Sequence, residues 1–177
     1  MEEATTQCRT LYAGRVVGLE LHDVQLANGR MAAREVIRHA PAAGVLAEMA
    51  DGRFAFVRQY RKPVEQAVLE IVAGVCEPGE EPEATARREL REESGYDAVA
   101  LTRLGAIYPS PGYVDEVIHL YHARLAAEPA GTALDEDEHV QLEIYTADEV
   151  RAMIAAESIR DAKTLTAWFW WQQQQER

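Results

Sequence analysis

Residues 74–96 read GVCEPGEEPEATARRELREESGY, and the interpretation of the whole chain turns on them. Pro78-Gly79 is a turn signal, and Pro82 suits a first helical position, where its missing N–H costs nothing. Glu83 to Ser94 is rich in good helix formers, and Gly95 stands where a left-handed C-terminal cap belongs. Glu89, Glu92 and Glu93 follow i, i+3, i+4 spacing, so a helix puts their carboxylates on one face. Like charges at that spacing cost roughly 0.2–0.5 kcal/mol per pair. They also fall in the last turns, where the helix dipole favours cations. An ordinary Glu/Arg-rich helix is a solvated face, here partly neutralised by Arg87, Arg88 and Arg91. A capped helix with carboxylates gathered at its wrong end suits a hard divalent cation better.

Working backwards from this stretch, Leu69 to Ala73 is a short strand that feeds the Gly74 loop. Before Pro63, GVLAEMA and RFAFVRQYR flank Asp51-Gly52, a strong hairpin signal. Arg15 to His39 is a first hairpin with its turn at Ala27-Asn28-Gly29-Arg30. It carries little apolar material, is marginal alone, and is expected to lean on the main domain or on a second copy of the chain.

Working forwards, VALTRLGAIY is a strand, Pro109-Ser110-Pro111-Gly112 a tight loop, and VIHLYHA a further strand. Ala127 to His139 is a polar loop with the acidic run Asp135-Glu136-Asp137-Glu138, of a kind usually just solvated. Val140 to Tyr145 is a strand. Thr146 and Glu149 form a capping-box pattern for the next helix, and a last helix begins at Asp161. Of its aromatic run, Leu165, Trp168 and Phe169 are the expected core positions. Strands, helix, strands, helix, helix suit a mixed sheet between helices with an N-terminal β appendage.

Composition bounds the function. The chain has 177 residues, 47% of them apolar, which suits one well-buried domain. A net charge of −12 speaks against nucleic acid or an anionic membrane surface as partner. No apolar run approaches the ~20 residues of a membrane span. MEEATTQCRT lacks the basic start and apolar centre of a signal peptide. Cys8 and Cys76 lack metal-binding spacing, so free thiols and a cytoplasmic location are expected. An acidic chain acting on a phosphate needs a metal or well-placed arginines to reverse the local field.

The 74–96 stretch resembles the signature box of the Nudix hydrolases. It has Gly74, five residues, Glu80, seven residues, Arg88-Glu89-Leu90, one residue, Glu92-Glu93, one residue and Gly95. Tyr96 departs softly, standing where the family usually has an aliphatic. The resemblance implies a Nudix-type α/β/α sandwich, with residues 1–40 as a dimer-swapped β appendage and 41–177 as catalytic domain. It implies divalent-metal hydrolysis of a nucleoside diphosphate linked to another group, with Mg²⁺ as cofactor and Mn²⁺ as an alternative.

By position, Glu89 and Glu93 would be metal ligands, with the Ala73 carbonyl as an extra one and Glu92 as ligand or helper. Arg88 would orient a glutamate, Gly74 would let the loop turn tightly, and Glu80 would be structural. Outside the box, Arg58-Gln59-Tyr60-Arg61, Leu69-Glu70, Ser110-Pro111-Gly112 with Glu116, and Asp161-Ala162-Lys163-Thr164 resemble the ADP-ribose pyrophosphatases. That likeness implies Arg61 on phosphate, and Gly112 and Glu116 at the substrate. It implies Glu136 as catalytic base and Glu138 as a further metal ligand, two roles open to exchange. It also implies a homodimer with N-terminal strands crossing to the partner. GDP-mannose or another nucleoside diphosphate sugar is the alternative substrate, and a non-catalytic sensing domain the alternative class.

Overall fold

The computed structural model describes residues 2–131 and 140–175. The chain divides into two compact units, Met1–Pro41 with Tyr108–Val117, and Ala42–Ile107 with Ile118–Arg177.

In the first unit, β1 (Ala4–Ala13), β2 (Val17–Gln25) and β3 (Met31–His39) form an antiparallel sheet in the order β1-β2-β3. The β2–β3 hairpin is the one expected, with Gly29 in the left-handed region at its turn (φ +80°). The leading strand β1 is an addition to the expected elements. Its TTQCRTLYA sequence has no apolar alternation, and every residue in it is exposed. Main-chain pairing rather than burial holds it, which period-2 hydrophobicity does not register. The returning segment adds a parallel bridge between Ile37 and Val114. Asp115 fixes that segment, accepting from the His39 N–H at 2.9 Å and from Arg38 Nη1 at 2.8 Å.

The second unit is built on β4 (Ala42–Glu48), β5 (Phe54–Arg61), β6 (Gln66–Glu70), β7 (Val72–Val75), β8 (Ala98–Ile107), β9 (Ile118–Leu125) and β10 (Val140–Tyr145). Among the described residues these make one seven-stranded sheet along β10-β5-β4-β9-β8, with β6 on β5 and β7 on β4. The sheet is mixed, since β4 and β9 run parallel. The single strand expected at Leu69–Ala73 is in fact two. The chain leaves β5 at Glu70, passes Ile71, and pairs with β4 from Val72. One β-rich run thus serves two partners, a switch that local propensity cannot show.

Alternation along the strands assigns side chains to two cores. Leu46, Phe54, Phe56, Ile71 and Leu120 meet Val150 of α2 (Ala147–Ala155) and Ala167, Trp168 and Trp171 of α3 (Ala162–Gln175) on one face. Val45, Ala47, Ala55, Val57, Val72 and Tyr121 meet Ala86 and Leu90, of α1 (Pro82–Glu89) and the turn after it, on the other. This is the expected α/β/α sandwich. The aromatic run needs one correction: Phe169 is exposed, and Trp171 takes the core position with Trp168. Thr164, Ala167, Trp168 and Trp171 are the buried positions of α3, the i, i+3, i+4, i+7 face that docks the helix. Phe54 meets both tryptophan rings edge-on, with centroids 5.1 and 4.8 Å away.

Candidate active site

β7 carries the chain to Gly74, and the following loop turns at Gly79 (φ +82°). Pro82 opens α1 at its first turn, but the N-cap Glu81 makes no side-chain cap. Glu80 organises the loop instead. Its carboxylate accepts from the Glu77 N–H (3.1 Å), Thr85 Oγ1 (2.8 Å), and Arg88 Nε and Nη2 (3.1 and 3.0 Å). The bonds from Arg88, more than the others, pull the Glu80 pKa down to about 2.

The helix expected to run unbroken to Ser94 is α-helical only to Glu89. Leu90–Ser94 forms a π-helical turn, closed by Gly95 in the left-handed region (φ 77°) as expected. Single π turns inside helices are frequent at functional sites. The sequence carries no warning of it, because π and α turns use the same residue types.

Glu89, at the end of α1, and Glu93, in the wide turn, meet β7 at Gly74 and Ala73. Glu89 and Glu93 are buried, at 8% and 4% exposure. Glu93 Oε2 accepts from the Ala73 N–H at 3.2 Å. Gly74, expected to serve a tight turn, is not one of the positive-φ glycines. It supplies space: a β-carbon there would lie 1.9 Å from Glu89 Cδ and Oε1.

Arg88 ties the cluster together. Nη1 donates to Glu89 Oε1 (2.7 Å) and Glu92 Oε2 (2.9 Å), and Nη2 to the Val75 carbonyl (3.2 Å). Hydrogen bonds to Glu80 foremost hold its guanidinium well above its usual range. A planar fork with five donors can serve this many acceptors at once, which a lysine cannot.

Buried carboxylates need compensating charge, and Arg88 faces Glu80, Glu89 and Glu92 together. The donor set is hard oxygen, and the Gly74 gap seats a carboxylate where a larger residue would displace it. These residues fit a hard divalent cation. Glu89 and Glu93, with the Ala73 backbone, are the group that would hold one.

A second cluster joins β5, β6 and the start of α3. Arg61 at the end of β5 makes a two-pronged ion pair with Glu70 of β6, both bonds 2.8 Å. Lys163 also bonds Glu70, which is 2% exposed, and lies 3.1 Å from Asp161. Burial opposes the charge on Glu70, but Arg61 and Lys163 outweigh it and hold its pKa below the usual range. Asp161 accepts from the Thr164 N–H (2.9 Å) and Oγ1 (2.6 Å), and Thr164 Oγ1 accepts from the Ile71 N–H (2.9 Å). The start of α3 is thereby fastened to the β6–β7 junction.

Arg61, Glu70, Arg160, Asp161 and Lys163 line a pocket of about 380 Å³. Arg61 also feels the charge of Glu93, after the nearer Glu70, which places the pocket within electrostatic reach of the box. Lys163 and Arg160 are additions to the expected site residues. The Asp161-x-x-Thr164 spacing hints at a helix start, but nothing local indicates that Lys163 reaches Glu70.

Gly112 and Glu116 lie in the first unit. Glu116 Oε1 is 3.5 Å from His39 Nδ1. Gly112 lines a pocket of about 390 Å³ with Tyr108, Pro111 and Tyr113. Glu136 and Glu138 lie outside the described residues. Ala73, Glu89, Glu93, Glu92, Arg88 and Arg61 all belong to the second unit.

A mixed sheet between helices, with a carboxylate-bearing helix end set against a glycine loop, defines a class. The NUDIX domain matches residues 38–169, and the chain belongs to this family of pyrophosphohydrolases. An ADP-ribose pyrophosphatase of Bacillus subtilis (strain 168) is 41% identical over 168 residues, covering 94% of this chain and 91% of the relative. A methanol dehydrogenase activator of Bacillus methanolicus is 43% identical over 167 residues, covering 94% and 90%. The fold matches a crystal structure of an ADP compounds hydrolase with a TM-score of 0.88 at 22% identity, covering 99% of this chain and 95% of that one. Among the described residues, no helix is long and apolar enough to cross a membrane.

Proposed function

We propose that the chain hydrolyses the pyrophosphate bond of ADP-ribose, giving AMP and ribose 5-phosphate, with Mg²⁺ as cofactor and Mn²⁺ able to replace it. The observation that carries this reading is the buried pair Glu89 and Glu93 beside Gly74, with the Arg61 pocket in the same unit. The choice of ADP-ribose is supported by the B. subtilis relative, alike along nearly the whole of both chains.

A pyrophosphate undergoing attack by water accumulates negative charge on closely spaced oxygens. Glu89, Glu93 and the Ala73 carbonyl would hold a divalent cation, which would supply neutralising charge and a more acidic water. The remaining work falls to the chain's own groups. Arg88 keeps Glu89 and Glu92 aimed by fixing one oxygen of each. Arg61, itself fixed by Glu70, presents its guanidinium to a phosphate. Glu136 takes the proton from the attacking water, and Glu138 adds a further ligand oxygen. Gly112 and Glu116 contact the substrate. Residues 1–40 act as appendage and 41–177 as catalytic domain of a cytoplasmic homodimer, with the N-terminal strands completing the partner's adenine pocket. The exposed Leu11, Tyr12 and Met31 of that sheet, with Val16 in the turn before β2, suit an interface.

Turnover of a nucleotide-sugar panel with product identification tests the substrate. ADP-ribose as the fastest substrate, with AMP and ribose 5-phosphate as products, is expected. Faster turnover of GDP-mannose replaces this reading. Light scattering after size exclusion tests the dimer, which a monomer at micromolar concentration overturns. The likeness to the B. methanolicus protein favours a second reading, a dehydrogenase activator. Activation of a methanol dehydrogenase that survives Glu93→Gln would make binding rather than hydrolysis the function.

A further inference from the structure

We infer that Cys8, Glu20 and His22 form a metal site of mixed sulfur, nitrogen and oxygen donors on the N-terminal sheet, suited to Zn²⁺. Cys8 and His22 are direct cross-strand partners of β1 and β2. Glu20 precedes His22 by two residues, so strand alternation puts both on one face. Cys8 Sγ lies 3.4 Å from His22 Nε2, and His22 Nε2 lies 2.8 Å from Glu20 Oε2. One ligand atom from each residue lies within 4.8 Å of the other two.

These separations are close to what a tetrahedral ion requires. Zn–S near 2.3 Å and Zn–N near 2.0–2.1 Å at a tetrahedral angle put sulfur and nitrogen about 3.5 Å apart. The Nε2–Oε2 distance must open by about half an ångström from its hydrogen-bonded value. The second ring nitrogen is already engaged, with Nδ1 3.5 Å from Thr5 Oγ1. A proton held at Nδ1 leaves the Nε2 lone pair for a metal, the usual arrangement of a ligating histidine.

Charge is accounted for as well. A Cys8 thiolate and the Glu20 carboxylate neutralise a divalent ion, and water fills the fourth position. Arg38 Nε donates to Glu20 Oε2 at 2.8 Å, but its Nη1 is paired with Asp115 at 2.8 Å. A carboxylate has lone pairs for both the guanidinium and an ion.

The sheet has a use for such a staple. Among the described residues, Val24 is the one buried apolar side chain of the first unit, and β1 buries nothing. Small units with little core commonly rely on a metal or a cross-link. An ion shared by β1 and β2 would fasten the strand that burial does not hold.

The test is titration of the reduced, EDTA-treated full-length chain with Co²⁺ alone. The expected result is a thiolate-to-cobalt charge-transfer band in the near ultraviolet that saturates at a single equivalent and is displaced by Zn²⁺. The box carboxylates bind Co²⁺ without such a band, so it reports the thiolate site. Cys8→Ser removes the band, Cys76→Ser leaves it, and His22→Gln weakens Co²⁺ by about 100-fold or more, beyond the ~10–100-fold typical of losing an outer partner. Absence of the band in the wild-type chain, its survival in Cys8→Ser, or an affinity unchanged by His22→Gln overturns the site.

Discussion

Gly74 and Glu89 share one volume: the space a β-carbon would fill on Gly74 is occupied by the Glu89 carboxylate, 1.9 Å away. The glycine is therefore a requirement of the acid packed against it, not of the backbone turn. Gly74→Ala should swing Glu89 out of place. A misplacement of about 1 Å at a reacting centre costs about 100-fold in rate, so kcat/KM should fall by that order. Overpacking should cost about 1–3 kcal/mol in stability. Steady-state kinetics alongside urea denaturation check both, and an alanine variant of normal activity would remove Glu89 from the site.

The Glu80–Arg88 pair predicts a particular acid limb. Glu80 titrates near 4.5 when unfolded and about 2 when folded. A depressed folded pKa means its contribution is present above about pH 4.5 and is lost as pH falls toward 2. Glu80→Gln should therefore be less stable than wild type at neutral pH, with the gap narrowing below pH 4.5. Thermal melts from pH 7 to 2.5 measure this, and a gap independent of pH would show that the ion pair is not its source.

How far the site is legible in sequence depends on the range of the interaction. Gly74, Glu80, Arg88, Glu89 and Gly95 are within one loop and helix, and their spacing declares them. The β2–β3 hairpin, the Asp51-Gly52 hairpin and the Thr146 capping box are likewise local. Lys163 meets Glu70 across 93 residues, and no periodicity encodes that meeting. β1 escapes notice because it buries nothing. Phe169 and Trp171 exchange expected places because four adjacent large residues leave helix phase undetermined until β5 supplies Phe54.

Arg61 is asked to bind phosphate while it also neutralises Glu70. Removing it as Arg61→Ala leaves Lys163 as the remaining partner of a carboxylate that is 2% exposed. Because Arg61 is itself 40% exposed, the loss should be about 1–3 kcal/mol rather than the larger cost of a fully buried pair. KM should rise as well. Glu70→Gln separates the two effects: it relieves the buried charge yet loosens the arginine, so it should raise KM with less loss of stability. Equal KM values for wild type and both variants would place Arg61 outside the substrate site.

Glu93 gives the sharpest test of the metal assignment, since a glutamine keeps its shape. The amide oxygen introduced by Glu93→Gln can still accept from the Ala73 N–H, as Glu93 Oε2 now does at 3.2 Å. The fold should survive, while a hard cation loses a charged ligand. Mg²⁺ should raise the wild-type melting temperature, because a ligand that binds only the folded state at 100 times its Kd adds about 2.7 kcal/mol. That rise should largely vanish in Glu93→Gln, and turnover should drop by more than the ~10–100-fold typical of losing an outer-shell partner. Two readouts guard against a misleading result. Lost turnover with an intact Mg²⁺ shift would make Glu93 a substrate-facing group. An intact shift with intact turnover would move the cation off this helix end altogether.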